Sequence, residues 1–290
     1  MRKGKSKKLT TAIIVILISI ISLISYSIKN EEEELSASGD SSFTLYMIDV
    51  GQGDCAFIDN GDHDILIDAG TNESEDDMIA TLYEIGVDKI EYVFLTHPHE
   101  DHIGGADSIL RNFDVENVIM PDAENDNACY RNLMKEIENS GAQLKYACAG
   151  DEFTIGDAEF DILSPGEGAF YSNENLYSLV IRINYKDINY LFTGDAEKHN
   201  EEYILKNYGE MLDCDVLSVG HHGSSTSSSK RFIEAVSPTV ALISAGEGNM
   251  YGHPHAEAVA ELKKYTDNIF RTDRDGTVII GSDGENIWIE

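Results

Sequence analysis

The sequence predicts an α/β fold, with sheets of mixed strands covered by helices on their outer faces, preceded by one N-terminal transmembrane helix. Three observations predict it. From Phe43 onward, short apolar runs alternate with helix-patterned stretches and Gly- or Asn-containing turns. Ligand-type side chains recur just after the apolar runs, and strand ends are where layered α/β folds build their sites. Residues 9–28 form a mainly apolar run behind a basic head. At 290 residues, 42% hydrophobic and 26% charged, the chain can bury one large core and still carry a tail.

Residues 1–8 are a basic head that places Arg2, Lys3, Lys5, Lys7 and Lys8 before the apolar run. The run from Leu9 to Ile28 has about the twenty residues that cross a bilayer as a helix. The acids Glu31 to Glu34 follow it. This asymmetry orients the head to the cytoplasm and the body outside, as a single-pass protein of the cell membrane. A cleaved signal peptide releasing a secreted body is the rival reading, with a distant cut near Leu35-Ser36-Ala37-Ser38. Residues 29–42, acidic and then Ser-rich, read as a flexible linker. The domain described next spans 43–290.

Within it, Phe43–Ile48, Cys55–Ile58 and Asp64–Ile67 read as three short strands joined by Gly51-Gln52-Gly53 and Asn60-Gly61-Asp62 turns. Asp76–Ile85 reads as a helix closed by Gly86. Strand 91–95, helix 103–112, strand 115–120, helix 126–139 and strand 143–147 follow. Strands 152–155 and 158–163 precede a long pair at 177–185 and 188–193. Helix 197–207, strand 213–219, helix 229–236, strand 238–244, helix 255–265 and terminal strands end the chain.

The net charge is −32. Such a body repels nucleic acid and anionic membranes at long range, so an anionic substrate would need a local anchor such as a metal. The same acidity would also keep an exported protein soluble. Of the four cysteines, Cys55 and Cys214 fall in or beside strands as small buried hydrophobes. Cys129 and Cys148 flank a helix and could pair in an oxidising compartment.

Chemistry concentrates in Leu95-Thr96-His97-Pro98-His99-Glu100-Asp101-His102. Three imidazoles and the Asp101 carboxylate, on a strand-to-loop turn, can converge on a small volume. These are ligands that Zn²⁺, Mn²⁺ and iron accept. Seven of the nine histidines fall in three tight groups after strands. The second group is His221-His222 in Val219-Gly220-His221-His222-Gly223-Ser224. The third is His253-Pro254-His255, after Asn249-Met250-Tyr251-Gly252. Between them, Phe192-Thr193-Gly194-Asp195 ends a strand in a carboxylate. Asp195 could bridge two metals, or cap the following helix.

His-x-His-x-Asp-His, then Gly-Asp at a strand end, then His after the next strand resembles the metallo-β-lactamase-fold hydrolases. Five segments are similar to one branch, the C-terminal hydrolase domain of the competence protein ComEC. They are Met47–Asp54, Asn175–Val180, Phe192–Glu197, His221–Ser224 and Tyr251–Pro254. The resemblance covers about Phe43 to Glu290. It implies an αββα four-layer sandwich, a centre of one or two divalent ions (Zn or Mn), and hydrolysis of phosphodiesters or nucleic acid. The many membrane helices of the competence protein have no counterpart here. The wider family also places a histidine where Ser164 stands, so the first metal would lack an imidazole or borrow His253 or His255.

On this reading His97 and His99 hold metal one, Asp101 and His102 hold metal two, Asp195 bridges, and His222 or its neighbour His221 completes metal two. A water whose pKa falls to about 7 on metal attacks phosphorus in line. Asp101 and His253 are the candidate catalytic residues, His253 protonating the leaving group or holding a phosphate oxygen. Asp49, Asp54 and Asp68 would orient ligand histidines. The substrate is a phosphodiester, either DNA or a small molecule such as a phosphocholine ester; a lactam or lactone is a further alternative. A non-catalytic metal-binding module is the other class. Structural zinc sites are usually closed and Cys-rich, however, and this set is neither.

Overall fold

A computed structural model describes residues 43–290. The expected membrane helix over 9–28, its basic head and the linker lie outside the described residues. Among the described residues no helix is long and apolar enough to cross a membrane.

The chain enters on an antiparallel meander of β1 (Phe43–Met47), β2 (Ala56–Asn60) and β3 (His63–Ile67). Helix α1 (Glu75–Ile85) follows and ends at Gly86, whose left-handed φ of 99° lets its amide reach the Leu82 and Tyr83 carbonyls. Next come β4 (Lys89–Phe94), α2 (Glu100–Ile103), α3 (Ala106–Asn112), β5 (Asp114–Met120), α4 (Ala128–Ser140) and β6 (Gln143–Tyr146). Strands β3 to β6 pair in parallel. A second sheet begins with β7 (Glu152–Ile155), β8 (Ala158–Ser164), β9 (Val180–Tyr185) and β10 (Ile188–Phe192), all antiparallel. It continues in parallel through α5 (Lys198–Tyr208), β11 (Val216–Ser218), α6 (Lys230–Val236), β12 (Val240–Ile243), α7 (Ala256–Leu262) and β13 (Ile269–Arg271). After the short α8 (Thr272–Asp275), β14 (Val278–Ser282) and β15 (Ile287–Ile289) return to the first sheet. The sheet orders are β15-β14-β1-β2-β3-β4-β5-β6 and β13-β12-β11-β10-β9-β8-β7.

Three apolar clusters make these elements four layers. One joins the facing surfaces of the two sheets, with Leu45, Ile65 and Phe94 from the first against Phe160, Ile181 and Tyr190 from the second. Phe94 and Phe160 stack across it, with ring centres 5.5 Å apart. The second packs α1, α3 and α4 on the outer face of the first sheet through Leu82, Ile109 and Leu133. The third packs α5, α6 and α7 on the second sheet through Ile204, Ile233 and Leu262. Strands such as β12 are therefore buried on both faces, which is why they read as continuous apolar runs.

Two expectations differ. Residues 174–177, partly read as strand, form a 3₁₀ turn because the Asn173 side chain accepts from the Asn175 amide. All four cysteines are free, so Cys129 and Cys148 do not pair. Cys55 and Cys214 are buried, as their strand setting suggested.

The β2–β3 ladder sets Asp64 directly opposite Asp59. Burial, then Asp59 and Asp88, push the Asp64 carboxyl up to about 6, with His63 opposing. A carboxyl with a raised native pKa contributes its full stability below the unfolded value near 3.9 and loses it as pH rises through about 6. Asp64→Asn should therefore stabilise the protein at pH 7 but not at pH 4. After discounting for the half-exposed setting, the gain is about 1 kcal/mol, or roughly 2–4 °C. Melting curves at the two pH values check this; equal shifts at both would refute it.

Candidate metal centre

The loops that leave β4, β10, β11 and β12 at their carboxyl ends meet at one cleft of about 940 Å³. Its floor brings together most of the expected ligands. His97 and His102 are fully buried, and Asp195 and His222 nearly so. His97 Nε2 and His99 Nδ1 lie 3.0 Å apart. His102 Nε2 lies 3.2 Å from Asp195 Oδ1, and His222 Nε2 lies 3.2 Å from Asp101 Oδ2 and 3.7 Å from Asp195 Oδ1. On the other oxygen, Asp195 Oδ2 lies 3.7 Å from His97 Nε2 and 3.5 Å from His221 Nε2. Asp195 does not cap the helix that follows; Glu197 does, through a capping box with Asn200.

Backbone geometry makes this convergence possible. Gly194 has φ 48°, and a Cβ there would meet the Thr96 side chain at 2.9 Å, so a side chain would drive the Asp195 turn away from the His97 strand end. His221 and His222 both adopt left-handed φ, 54° and 53°. Such values are costly for non-glycine residues and mark sites whose surroundings hold them.

A further set of groups orients the ligands. Asp68 Oδ2 accepts from His102 Nδ1 at 2.8 Å and from the Thr96 hydroxyl at 2.7 Å, while Asp68 Oδ1 accepts from the Thr96 amide at 2.7 Å. Asp54 Oδ1 lies 3.1 Å from His222 Nδ1. Asp49, grouped with these two by sequence, does not orient a histidine. It is exposed and accepts from the Gly51 amide, as a turn residue does. Sequence reasoning missed Glu174, whose Oε2 lies 2.8 Å from His99 Nε2 and leaves Nδ1 to face inward. It sits two residues beyond Ser172 in a loop with no periodic signal.

The electrostatics match a cation site. Burial opposes the charge on Asp195 and Asp101, yet neighbouring imidazoles hold both carboxyls below the usual range: His102 and His222 for Asp195, the His222 hydrogen bond and His102 for Asp101. Burial and the nearby His102 push His97 well below its ordinary value, which favours the neutral ring. Burial also opposes charge on His102 and His222, but Asp195 with Asp68, and Asp54 with Asp195, outweigh it and raise both. His102 Nε2 and Asp195 Oδ1 are buried with no hydrogen-bond partner, although they face each other. Two groups of donors, His97/His102/Asp195 and Asp101/His102/His222, are each close enough to share one ion. The residues present fit a divalent metal.

The remaining histidines separate. His253 lines the cleft, stacks on Tyr251 and lies 5.5 Å from the His221 ring; its Nδ1 is buried without a partner. Burial and the neighbouring imidazoles, His222 first, lower it to about 4. His255 is not available to a metal, because Nδ1 accepts from the Ser225 amide at 2.9 Å and Nε2 lies 3.3 Å from the Tyr251 carbonyl. Ser164 ends β8, fully buried, and its Oγ accepts from Asn200 Nδ2 at 2.9 Å.

Comparison with known proteins agrees with this picture. The chain is 32% identical over 263 residues to the ComE operon protein 3 of Bacillus subtilis, covering 84% of this chain and 33% of that protein. It is 32% identical to the recombination protein 2 of Haemophilus influenzae, covering 80% of this chain and 28% of that one. It is 30% identical to the competence protein ComA of Neisseria gonorrhoeae, covering 80% and 31%. The chain thus spans about a third of the length of the curated relatives it matches. Among solved structures, the metallo-β-lactamase-fold protein YhfI of Bacillus subtilis superposes with a TM-score of 0.57 at 12% identity, covering 84% of this chain and all of that one. The E377D variant of the β-hydroxylase CmlA superposes with 0.54 at 13% identity, covering 79% and 52%. At such identities these superpositions show the fold alone. The family model of the metallo-β-lactamase superfamily matches residues 48–247, and with the His/Asp cleft between two sheets it establishes that the chain belongs to this superfamily of metal-dependent hydrolases.

Proposed function

We propose that the protein hydrolyses phosphodiesters, nucleic acid among them, at this centre. The observation that carries the reading is the convergence of His97, His99, Asp101, His102, Asp195 and His222 on the floor of an open cleft rather than in a closed site. The similarity to competence proteins supports a DNA-type substrate. Asp101, His102 and His222 form one donor group that would hold an ion, and His97, His102 and Asp195 form another, with His99 beside His97. Bound there, divalent ions supply an activated water at neutral pH and charge to stabilise the attacking and leaving oxygens. Asp68 and Asp54 fix the ring orientations of His102 and His222. His253, beside Tyr251 and close to the His221 ring, is neutral near pH 7 and is placed to donate a hydrogen bond from its ring N–H to a phosphate oxygen or the leaving oxygen.

A second reading is favoured by the lining itself. Glu73, Glu100 and Glu174 border the cleft, and among the described residues no Lys or Arg does. A small phosphodiester with a cationic headgroup, such as a phosphocholine ester, would suit that wall better than a long polyanion. Purified protein should turn over bis-p-nitrophenyl phosphate with added Mn²⁺ or Zn²⁺. Single-stranded DNA and p-nitrophenylphosphorylcholine, run in parallel, separate the two substrates. No turnover of any of the three by metal-loaded protein would overturn the enzymatic reading.

We also propose that the body lies outside the cytoplasmic membrane, on the charge asymmetry around residues 9–28. Protease added to intact cells should digest it; protection would reverse the orientation.

A further inference from the structure

We propose that Met250 and Tyr251 form a lip that takes a nucleobase of the substrate strand by stacking. The proposal rests on the phosphodiesterase reading of the cleft and chooses between its two substrates. Met250 and Tyr251 are adjacent large side chains left 90% and 60% exposed, and both line the cleft. A single exposed hydrophobe is ordinary; an adjacent pair at the mouth of a polar cleft is what a ligand covers. The Tyr251 ring stacks on that of His253, with centres 5.7 Å apart and planes 21° apart. The His253 ring in turn lies 6.1 Å from that of His222, a member of one donor group. Two ring-to-ring steps thus separate Tyr251 from the donors, and a base laid on Tyr251 sits close to a phosphodiester held at them.

The lip is pinned by its own loop. Asn249 Oδ1 accepts from the Tyr251 amide at 3.1 Å and the His253 amide at 3.0 Å, while Asn249 Nδ2 donates to the Gly246 and His253 carbonyls at 2.9 and 2.6 Å. At Gly246 a Cβ would meet the Gln52 amide nitrogen at 2.8 Å, so the base of the loop lies against the Gly51-Gln52 turn. A pinned loop that shows apolar side chains to water loses little freedom when it binds. Charge decides which part of a strand must be held. Among the described residues no Lys or Arg lines the cleft, so phosphates away from the centre find no counter-charge there. Affinity for a strand then has to come from bases, whose π-faces stack on aromatic rings whatever the sequence. A cationic headgroup finds fewer free acids than the lining suggests: Glu174 is engaged by His99 and Asn125, and Glu100 by the amide and side chain of Asn72.

The test compares a single-stranded oligothymidylate with an abasic strand of the same length, which keeps the phosphodiesters and loses the bases. KM is measured with purified full-length protein loaded with Mn²⁺. The wild type should show a KM about 5- to 100-fold higher for the abasic strand, the range that one stacked base commands. Tyr251→Ala should bring that ratio close to unity, Met250→Ala should reduce it, and Tyr251→Phe should keep it. If losing the Tyr251–His253 stack merely disturbed the centre, both strands would slow alike and the ratio would stay as in the wild type, which would overturn the proposal. So would a wild-type ratio of unity, or turnover of bis-p-nitrophenyl phosphate with no cleavage of either strand; both leave the phosphodiesterase reading standing. A higher KM for p-nitrophenylphosphorylcholine in Tyr251→Ala, with the strand ratio unchanged, would assign the lip to a cationic headgroup instead. No turnover of any of these substrates would overturn the reading and the proposal together.

Discussion

Asp101→Ala should abolish the proposed phosphodiester hydrolysis, a loss of several orders of magnitude in kcat. Asp101 is an ionised carboxylate whose Oδ2 lies 3.2 Å from His222 Nε2, beside the open cleft. Removing it takes away an anionic donor of the proposed metal position, beside the open cleft. The activation at stake is large, since a bound ion lowers the pKa of water from 15.7 to about 7. His253→Ala should be milder, about 10²–10⁴-fold, because it removes one donor and no ligand. The two variants should also respond differently to the leaving group. On bis-p-nitrophenyl phosphate, whose p-nitrophenolate leaves without a proton, His253→Ala should recover part of its rate and Asp101→Ala none. Complete loss in both on that substrate would make His253 a metal ligand.

The second large effect is expected at Asp68. This buried carboxylate accepts from the Thr96 amide, the Thr96 hydroxyl and His102 Nδ1. Asp68→Ala strands all three donors in a dry interior, each at about 1–3 kcal/mol, so a destabilisation of about 3–5 kcal/mol follows. For a domain of this size that is a fall in Tm of roughly 10 °C or more. Freed from Asp68, His102 also loses its fixed ring orientation, and metal affinity should drop about 10–100-fold. Asp68 has a φ of 59°, which Asn tolerates better than Ala. Asp68→Asn should therefore recover much of the Tm but not the metal affinity, since the amide gives His102 a poorer acceptor. Calorimetry and metal titration on the two variants read these effects separately; a Tm within a degree of wild type for Asp68→Ala would refute the argument.

Much of this was legible in the chain. The run Tyr92–Leu95 followed by His97, and Tyr190–Phe192 followed by Asp195, announced strand ends carrying ligands, because a strand buried on both faces has an unmistakable composition. Gly86 announced the end of α1 for an equally local reason. What was not legible depends on tertiary geometry. Asp49, Asp54 and Asp68 look alike as acids near turns, yet only the last two face a histidine. His221 and His222 are adjacent in the chain yet face different oxygens of Asp195, and both hold unusual φ values which no propensity encodes. Glu174 meets His99 across a loop, a pairing without sequence periodicity.

The position of β14 has a consequence for how the molecule is made. It fills the free edge of β1, and Asp49 at the end of β1 donates its amide to Thr277, 228 residues further on. At about 5–20 residues per second, synthesis of that interval takes roughly 10–50 s. Throughout it the first sheet stands open along one side, and an unpaired strand edge is a template for joining other chains. The nascent protein is thus most vulnerable to sticking to its neighbours before its last strands emerge. His97 to His102 likewise wait for Asp195 and His222 to be translated. On the proposed reading metal capture is therefore a late event in the life of the chain, and a ribosome stalled before β14 would hold a first sheet that lacks two of its eight strands.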